Sequence, residues 1–458
     1  MKKFFYLLFF PTFIFLFTAC EKFLDIKPKQ ILINDKAITS VRDLEAVAAG
    51  MYDGLQSENV LSGNQIVFSE FLAEETQVQE YKLSTFGTSE IYSHATTVQI
   101  GLLRSMWAEN YAVINRANNV IAAIDGGKLS GKDFDLVKDK LKGEAFFVRA
   151  IVLFHLLEFW SLPYDLNGGN SQLGVVIRTE PTLTPENLAK ARSSVEECYA
   201  QIISDLQVAE NYLSKAGVKK SADRASEMAA AALLARVSFL KGDYANASLK
   251  ANKVIASTLF SLEQSAIAAF QATGNSASKE TIFQLVNIST DQSNSLPGNF
   301  QQNPIFRADT SVLNKYDAND TRKSLINTFA GLNYIKKFNK IGTLLPNTVL
   351  IRFAEMHLIR AEANLLANGD TTAALMSYNE IMKRAMQNNY VEETAAVGLL
   401  AKVQLQRQLE LYCEGDRYLN LRRLKQNVRF GKSYNDPSLL FKIPQEEMSG
   451  NTLIEQNP

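Results

Sequence analysis

Two glycine–aspartate pairs set the terms for this chain. Gly242-Asp243 and Gly369-Asp370 each stand between two stretches of helical spacing. Glycine supplies the positive φ that ends a helix, and aspartate can cap the next one. The match extends to both sides. Ala235 and Ala361 precede the turns, and Ala247 and Ala374 each lie five residues after the glycine. Small side chains there let antiparallel helices approach closely, and stacking such pairs buries a shared face. This is tetratricopeptide logic, and it predicts a mainly α chain organised as a helical-repeat scaffold.

The rest of the chain is consistent with that frame. Apolar residues at helical spacing predict helices over 40–56, 102–125, 136–160, 193–213, 224–240, 244–257, 397–414 and 417–426. A helix pair spans 349–385, and a shorter helix lies near 67–75. Short strands are expected at 174–178, 281–286, 334–338 and 440–443. Two segments break the helical pattern, 59–101 and 258–348, where Ser, Thr, Asn, Gln and Gly are abundant. Long irregular segments in a folded chain are usually functional or disordered. The scaffold is therefore expected to carry an irregular, loop-rich face with a few short strands.

Hydrophobic residues make up 46% of the 458, and charged ones 21%, which is a globular composition. Basic and acidic residues balance at 48 each, and no run of Lys or Arg exceeds two. Nothing here calls for nucleic acid, which needs a basic patch or stripe.

Residues 1–19 read as an export signal. Lys2-Lys3 precede an apolar run from Phe4 to Phe17, and small residues Thr18-Ala19 precede Cys20. At about 14 residues that run is short for a membrane-spanning helix. A cysteine directly after the cleavage point is the bacterial lipoprotein arrangement, with Cys20 as the lipidated residue. Phe17 stands where such signals usually carry Leu, and an ordinary secretory signal with a chance cysteine is the other reading. The membrane contact would then be the lipid anchor alone. Cys198 and Cys413 remain, read as buried free thiols, with a disulfide as the alternative in an exported chain.

Catalytic motifs are sparse. His94, His155 and His357 are scattered, and no HExxH, Gly-x-Ser-x-Gly or phosphate-binding glycine loop occurs. Neither a metal site nor a cofactor site is expected. Glu355 and Glu362 share a helix face, with Arg352 three residues before Glu355. Their axial separation is roughly 10.5 Å. Retaining glycosidases need about 5–5.5 Å between carboxyls and inverting ones about 6.5–9.5 Å. Glu355, Glu362, Arg352 and Arg360 therefore read as paired, buried structural charges, and Glu410, Glu414, Arg417 and Arg422 as a similar network.

Aromatics in the polar segments suit a different chemistry. Sugar rings present apolar C–H faces that stack on aromatic rings, while their hydroxyls need polar partners. Tyr81, Phe86, Tyr92, Phe300, Phe306, Tyr316, Phe329 and Tyr334 lie in the two irregular segments, with Asn299, Gln301, Gln302 and Asn303 close by. Tyr81, Tyr92, Phe300 and Phe306 are the ligand-binding candidates; local packing is the competing reading for each.

Several blocks together resemble the SusD/RagB family of Bacteroidetes outer-membrane lipoproteins. They begin with Cys20 and Phe23-Leu24-Asp25-Ile26-Lys27-Pro28. Trp107 to Tyr111, Asn118 to Ile121, Glu144-Ala145 to Arg149-Ala150 and Leu162-Pro163-Tyr164 are similar to its first helical hairpin. Arg352-Phe353-Ala354-Glu355 through Arg360-Ala361-Glu362 to Asn379 and Arg384-Ala385 is the most recognisable block. Glu410 to Arg417, Ile443-Pro444 and Gln456-Asn457-Pro458 complete the pattern. Asn420 departs from the Asp usual there, and Asn457-Pro458 from a Gly-Tyr ending. The resemblance implies one SusD-like body over 20–458, held at the outer membrane and exposed at the cell surface. It implies a lid on a SusC-type TonB-dependent transporter that delivers oligosaccharides, or in some branches peptides, without being an enzyme. A lipid-anchored glycoside hydrolase or peptidase and a pure protein scaffold are the readings from other classes.

Overall fold

The computed structural model describes residues 38–84, 87–182, 189–287, 294–301 and 304–458. Cys20, Phe86, Gln302 and Asn303 lie outside them. The principal helices are α1 (Val41–Leu55), α2 (Asn64–Leu72), α3 (Gly101–Asp125), α4 (Lys132–Trp160), α5 (Val195–Lys215), α6 (Glu227–Lys241), α7 (Tyr244–Ala256), α8 (Phe353–Ala367), α9 (Thr371–Met386), α10 (Leu399–Glu410) and α11 (Asp416–Arg423). Their ends follow from local chemistry. Ser40, Ser194 and Ser226 cap α1, α5 and α6 with side-chain oxygens that accept backbone N–H groups.

Both Gly-Asp turns do what their residues dictate. Gly242 and Gly369 have φ of 82° and 71°, and Asp243 and Asp370 accept hydrogen bonds from the N–H groups of Asn246 and Ala373. A β-carbon on Gly242 would also lie 2.1 Å from Leu166 Cδ2, so any larger residue would have to push that exposed side chain aside. Ala235, Ala247, Ala361 and Ala374 are fully buried between the helices, as the spacing predicted.

Neighbours in sequence pack as neighbours in space: α3 on α4, α4 on α5, α5 on α6, α6 on α7 and α8 on α9. The series then continues across a gap, because α7 packs on α8 although residues 257–352 separate them. The second irregular segment is thus an insertion between adjacent helices of one stack. One large apolar cluster runs through α1–α8 and the insertion, with two smaller ones around α8–α10.

Among the described residues, six short strands make three antiparallel pairs. β1 (Thr76–Val78) pairs with β3 (Phe306–Ala308), β2 (Thr281–Leu285) with β6 (Thr348–Arg352), and β4 (Ile326–Phe329) with β5 (Leu332–Ile335). β6 corrects the expected helix start at 349: the chain enters α8 from a strand that seats the insertion's exit against its beginning. Residues 440–443 form no strand. The Phe441 N–H donates to the Phe159 carbonyl at the end of α4, so a helix end takes the place of a partner strand. The disulfide alternative also falls, since Cys198 and Cys413 are separate buried thiols. No described helix is long and apolar enough to cross a membrane.

Most of the predicted charges are paired, though not always as their spacing suggests; among the described residues Arg360 meets no carboxylate, and Arg422 donates to carbonyls instead. Glu355 takes both oxygens to Arg236 of α6 at 2.7 and 2.6 Å, and Glu362 meets Arg423 of α11 at 2.6 Å. Arg352 turns away from Glu355, to Glu410 (2.6 Å) and Glu414 (2.7 Å). Glu410 also meets Arg384 of α9 (2.5 Å) and Arg322 of the insertion (3.3 Å). Burial alone would push the Glu410 carboxyl up. The surrounding Arg384, Arg352 and Arg322 outweigh it and hold the group well below the ordinary carboxylate range. Removing that carboxylate strands several buried cations, so Glu410→Ala should lower unfolding stability by about 3–5 kcal/mol, read as a fall in the urea midpoint.

Candidate functional site

The two irregular segments meet at β1 and β3. Thr76 stands opposite Ala308 and Val78 opposite Phe306, and the Gln79 N–H extends the ladder to the Ile305 carbonyl at 2.9 Å. Tyr412 of the α10–α11 connection fixes both strands: its hydroxyl donates to the Glu75 carbonyl (3.0 Å) and accepts from the Asp309 N–H (3.2 Å).

Behind this ladder, aromatic rings form a continuous path from the core to the surface. Phe338, Phe300, Phe306, Phe71, Tyr92 and Phe430 follow one another at centroid separations of 4.8, 4.9, 5.0, 6.0 and 5.2 Å. Such contacts favour a fixed relative geometry of each pair. The path decides the fate of the four candidates. Phe300 and Phe306 are fully buried interior steps, so neither offers a face to a ligand, contrary to the expectation for loop aromatics. Burial of apolar rings won because β1–β3 pairing turns this part of the segment inward. Tyr316 is core as well, its hydroxyl donating to the Leu409 carbonyl. Tyr92 is half-buried where the path surfaces, and Tyr81 is 78% exposed nearby. Phe329 is exposed at the β4–β5 turn.

Phe430 was not among the sequence candidates. It is 58% exposed and has φ of 61°, a left-handed conformation that is costly for an aromatic residue. Arg429 holds it there. That buried guanidinium donates to the carbonyls of Phe71 (2.6 Å), Glu70 (3.0 Å) and Thr76 (3.1 Å), and sits 5.4 Å from the Tyr92 ring centre. His94, also at positive φ, packs its ring against Phe430 at 5.4 Å. Burial, then Lys432 and Arg429, push its pKa down to about 4, so the imidazole is neutral at pH 7. The only sequence signal for this corner is Phe430 followed by Gly431, a turn residue.

Polar groups surround the exposed rings. The Tyr81 hydroxyl donates to Gln79 Oε1 (2.6 Å), which also accepts from Arg307 (2.5 Å), and the Tyr92 hydroxyl donates to Glu80 (3.0 Å). Lys82 Nζ lies 5.6 Å from the Tyr81 ring centre. Apolar ring faces beside amide, carboxylate and ammonium groups can take a ligand that is apolar on its flat side and hydroxylated at its edge. Among the described residues no cluster of His, Cys, Asp and Glu could hold a metal ion.

Comparison with known proteins bears on the same architecture. A family profile described as "Starch-binding associating with outer membrane" matches residues 22–239, and one described as "SusD family" matches residues 264–437. The chain belongs to the SusD/RagB family. A SusD-like protein of Bacteroides ovatus is 26% identical over 236 residues, covering 50% of this chain and 38% of that one. The chain aligns with less than half the length of each of its curated SusD-like relatives. Solved structures match more completely. A SusD superfamily protein from Bacteroides thetaiotaomicron VPI-5482 superposes with a TM-score of 0.81 at 25% identity, over 92% of this chain and 100% of that one. A candidate sugar binding protein from Bacteroides vulgatus ATCC 8482 gives 0.80 at 27% identity, over 92% and 99%. The tetratricopeptide-like fold expected of a SusD relative is the fold observed. At the family's departure, the Asn420 amide oxygen accepts from Arg423 (2.8 Å), so it receives hydrogen bonds as a carboxylate would.

Two outcomes test this corner. Replacing Phe430 by glycine relieves a strain of about 1–3 kcal/mol, so Phe430→Gly should leave stability unchanged or raise it, read by thermal melting, although its ring contacts to Tyr92 and His94 are lost. Glu70 of α2 lies under Arg429, and burial, then Glu75, raise its pKa to about 8 from 4.5. The folded chain keeps this proton where the unfolded chain has released it, so stability should decline as pH rises from about 4.5 to 8. Glu70→Gln should remove that part of the slope in urea titrations at a series of pH values.

Proposed function

We propose that this SusD-family chain is a cell-surface, lipid-anchored binding protein that captures oligosaccharides and passes them to a SusC-type TonB-dependent transporter in the outer membrane. Residues 1–19 would be removed on export, Cys20 would carry the lipid, and 20–458 would act as one body. The observation that carries the reading is membership of the family in both halves of the chain, one profile being described as starch-binding. The candidate sugar binding relative supports the ligand class.

The exposed end of the aromatic path supplies a means. Tyr81, Tyr92 and Phe430 would stack on sugar faces, while Gln79, Glu80, Lys82 and Arg307 would meet hydroxyls. Phe300 and Phe306 would support these rings from behind. Such a protein works by binding and release rather than by catalysis. The pairing of Glu355 and Glu362 with different arginines supports that, because each carboxylate already has a fixed cationic partner.

Glycan-array and calorimetric binding with the purified protein tests the proposal. The triple variant Tyr81→Ala, Tyr92→Ala, Phe430→Ala should bind roughly 10- to 100-fold more weakly while still folding cooperatively at the assay temperature, as loss of ring anchors at a binding surface would produce. Undiminished glycan binding by that variant would overturn the site. Absence of any glycan ligand across the array would overturn the ligand class. Cys20→Ala should move the protein from the membrane fraction to the soluble fraction.

A further inference from the structure

Arg360 departs from the pattern of buried arginines in this chain. Other buried arginines either spend their donors on several backbone carbonyls, as Arg192, Arg422 and Arg429 do, or meet carboxylates, as Arg352, Arg384, Arg407 and Arg423 do. Arg360 is only 9% exposed and meets none among the described residues. Its Nε has no hydrogen-bond partner, and its Nη2 has only long contacts to the Ala373 carbonyl (3.5 Å) and the Met376 sulfur (3.9 Å). Asp370, the nearest acidic influence on it, is engaged in capping α9. An unpaired charge this far from water is costly, and a counter-ion from outside would offset that cost.

The surroundings specify that counter-ion. Arg360 lines a cleft of about 920 Å³ between α8, α9 and the start of the insertion. His357 lies one helical turn before it, 6% exposed, with Nδ1 unpartnered. Burial, then Arg360 and Arg384, push the His357 pKa down to about 3, so it is a neutral hydrogen-bonding group and adds no charge. Phe260, Phe353, Leu375, Met376 and Tyr390 give the cleft apolar walls. Its rim carries Glu380 and Glu392 beside Lys383, and Glu393 is paired with Lys402. The guanidinium at the floor can meet one carboxylate, and the acidic rim disfavours a multiply charged anion such as phosphate more strongly than a singly charged one. A guanidinium matches a carboxylate in shape as well.

We propose that this cleft is a second binding site, separate from the aromatic corner, that takes one carboxylate on an apolar body. The carboxylate would sit on Arg360 with His357 as a neutral partner, and the apolar body would lie against Phe260, Phe353 and Tyr390. A small free acid and the carboxyl end of a peptide share that chemistry.

N-acetyl-leucine and its uncharged amide, titrated into the full chain in detergent, test it. The acid should bind at least 10-fold more tightly than the amide, and Arg360→Met should abolish that difference. Equal binding of acid and amide, binding of neither, or an acid preference that survives in Arg360→Met would overturn the proposal. The acid–amide comparison needs no variant, so it stands even if Arg360→Met folds poorly. An N-acetylated tetrapeptide ending in leucine separates the two sources. Tighter binding than N-acetyl-leucine supports the site as one for a peptide terminus, and weaker binding supports it as one for a small acid. Phosphate displacing the acid as well as acetate does would overturn the single-charge argument.

Discussion

The buried ion cluster around Glu410 ties the insertion to the helical stack. Arg352 enters it from the end of β6, Arg384 from α9, and Arg322 and Lys337 from the insertion. Glu280, just before β2, and Glu414, after α10, complete it, and Asp320 neutralises Arg322 from its other side. Charges this deep are expensive unless each is matched. Matching fixes the relative positions of segments that no local rule connects. A repeat stack is elastic in principle, since each helix pair touches only its neighbours. Here the cluster joins α9 and the end of α10 to the insertion that precedes them in sequence, and so fixes how the insertion sits.

That placement explains the aromatic path. With Glu280 held by Arg352 and Arg384, and Arg322 held by Glu410, the chain between Glu280 and Arg322 passes α2. There β3 pairs with β1, and Phe300 and Phe306 fill the space against Phe71. The rings pack until Tyr92 and Phe430 reach solvent. Stiffness at the surface therefore comes from packing beneath it. An aromatic ring held by a packed neighbour loses little freedom on binding, which lowers the cost of recognition.

Arg429 gives the same logic in polar form. Its guanidinium spends its donors on carbonyls of residues 70, 71 and 76, and this locks the neighbouring Phe430 into a left-handed conformation. Backbone strain of this kind persists only where surrounding contacts over-determine it, and it tends to mark working surfaces. Arg360 is the reverse case. The fold buries it, no carboxylate among the described residues meets it, and the space beside it is open.

The sequence by itself determined what depends on short range. Helical spacing, serine and aspartate caps, and the left-handed glycines of Gly242-Asp243 and Gly369-Asp370 act within a few residues, so the repeat scaffold was legible from them. So was the wide axial separation of Glu355 and Glu362, because axial rise along a helix is fixed. Tertiary structure decided which arginine each of them meets, and Arg236 and Arg423 lie far away in the chain. It also decided which aromatics face water. Phe306 and Tyr81 look alike as loop aromatics, yet one is buried by a strand pairing across more than two hundred residues. Phe430 is presented by hydrogen bonds to carbonyls more than three hundred and fifty residues away. Local energetics set the elements, but exposure and charge pairing follow from contacts between segments distant in sequence.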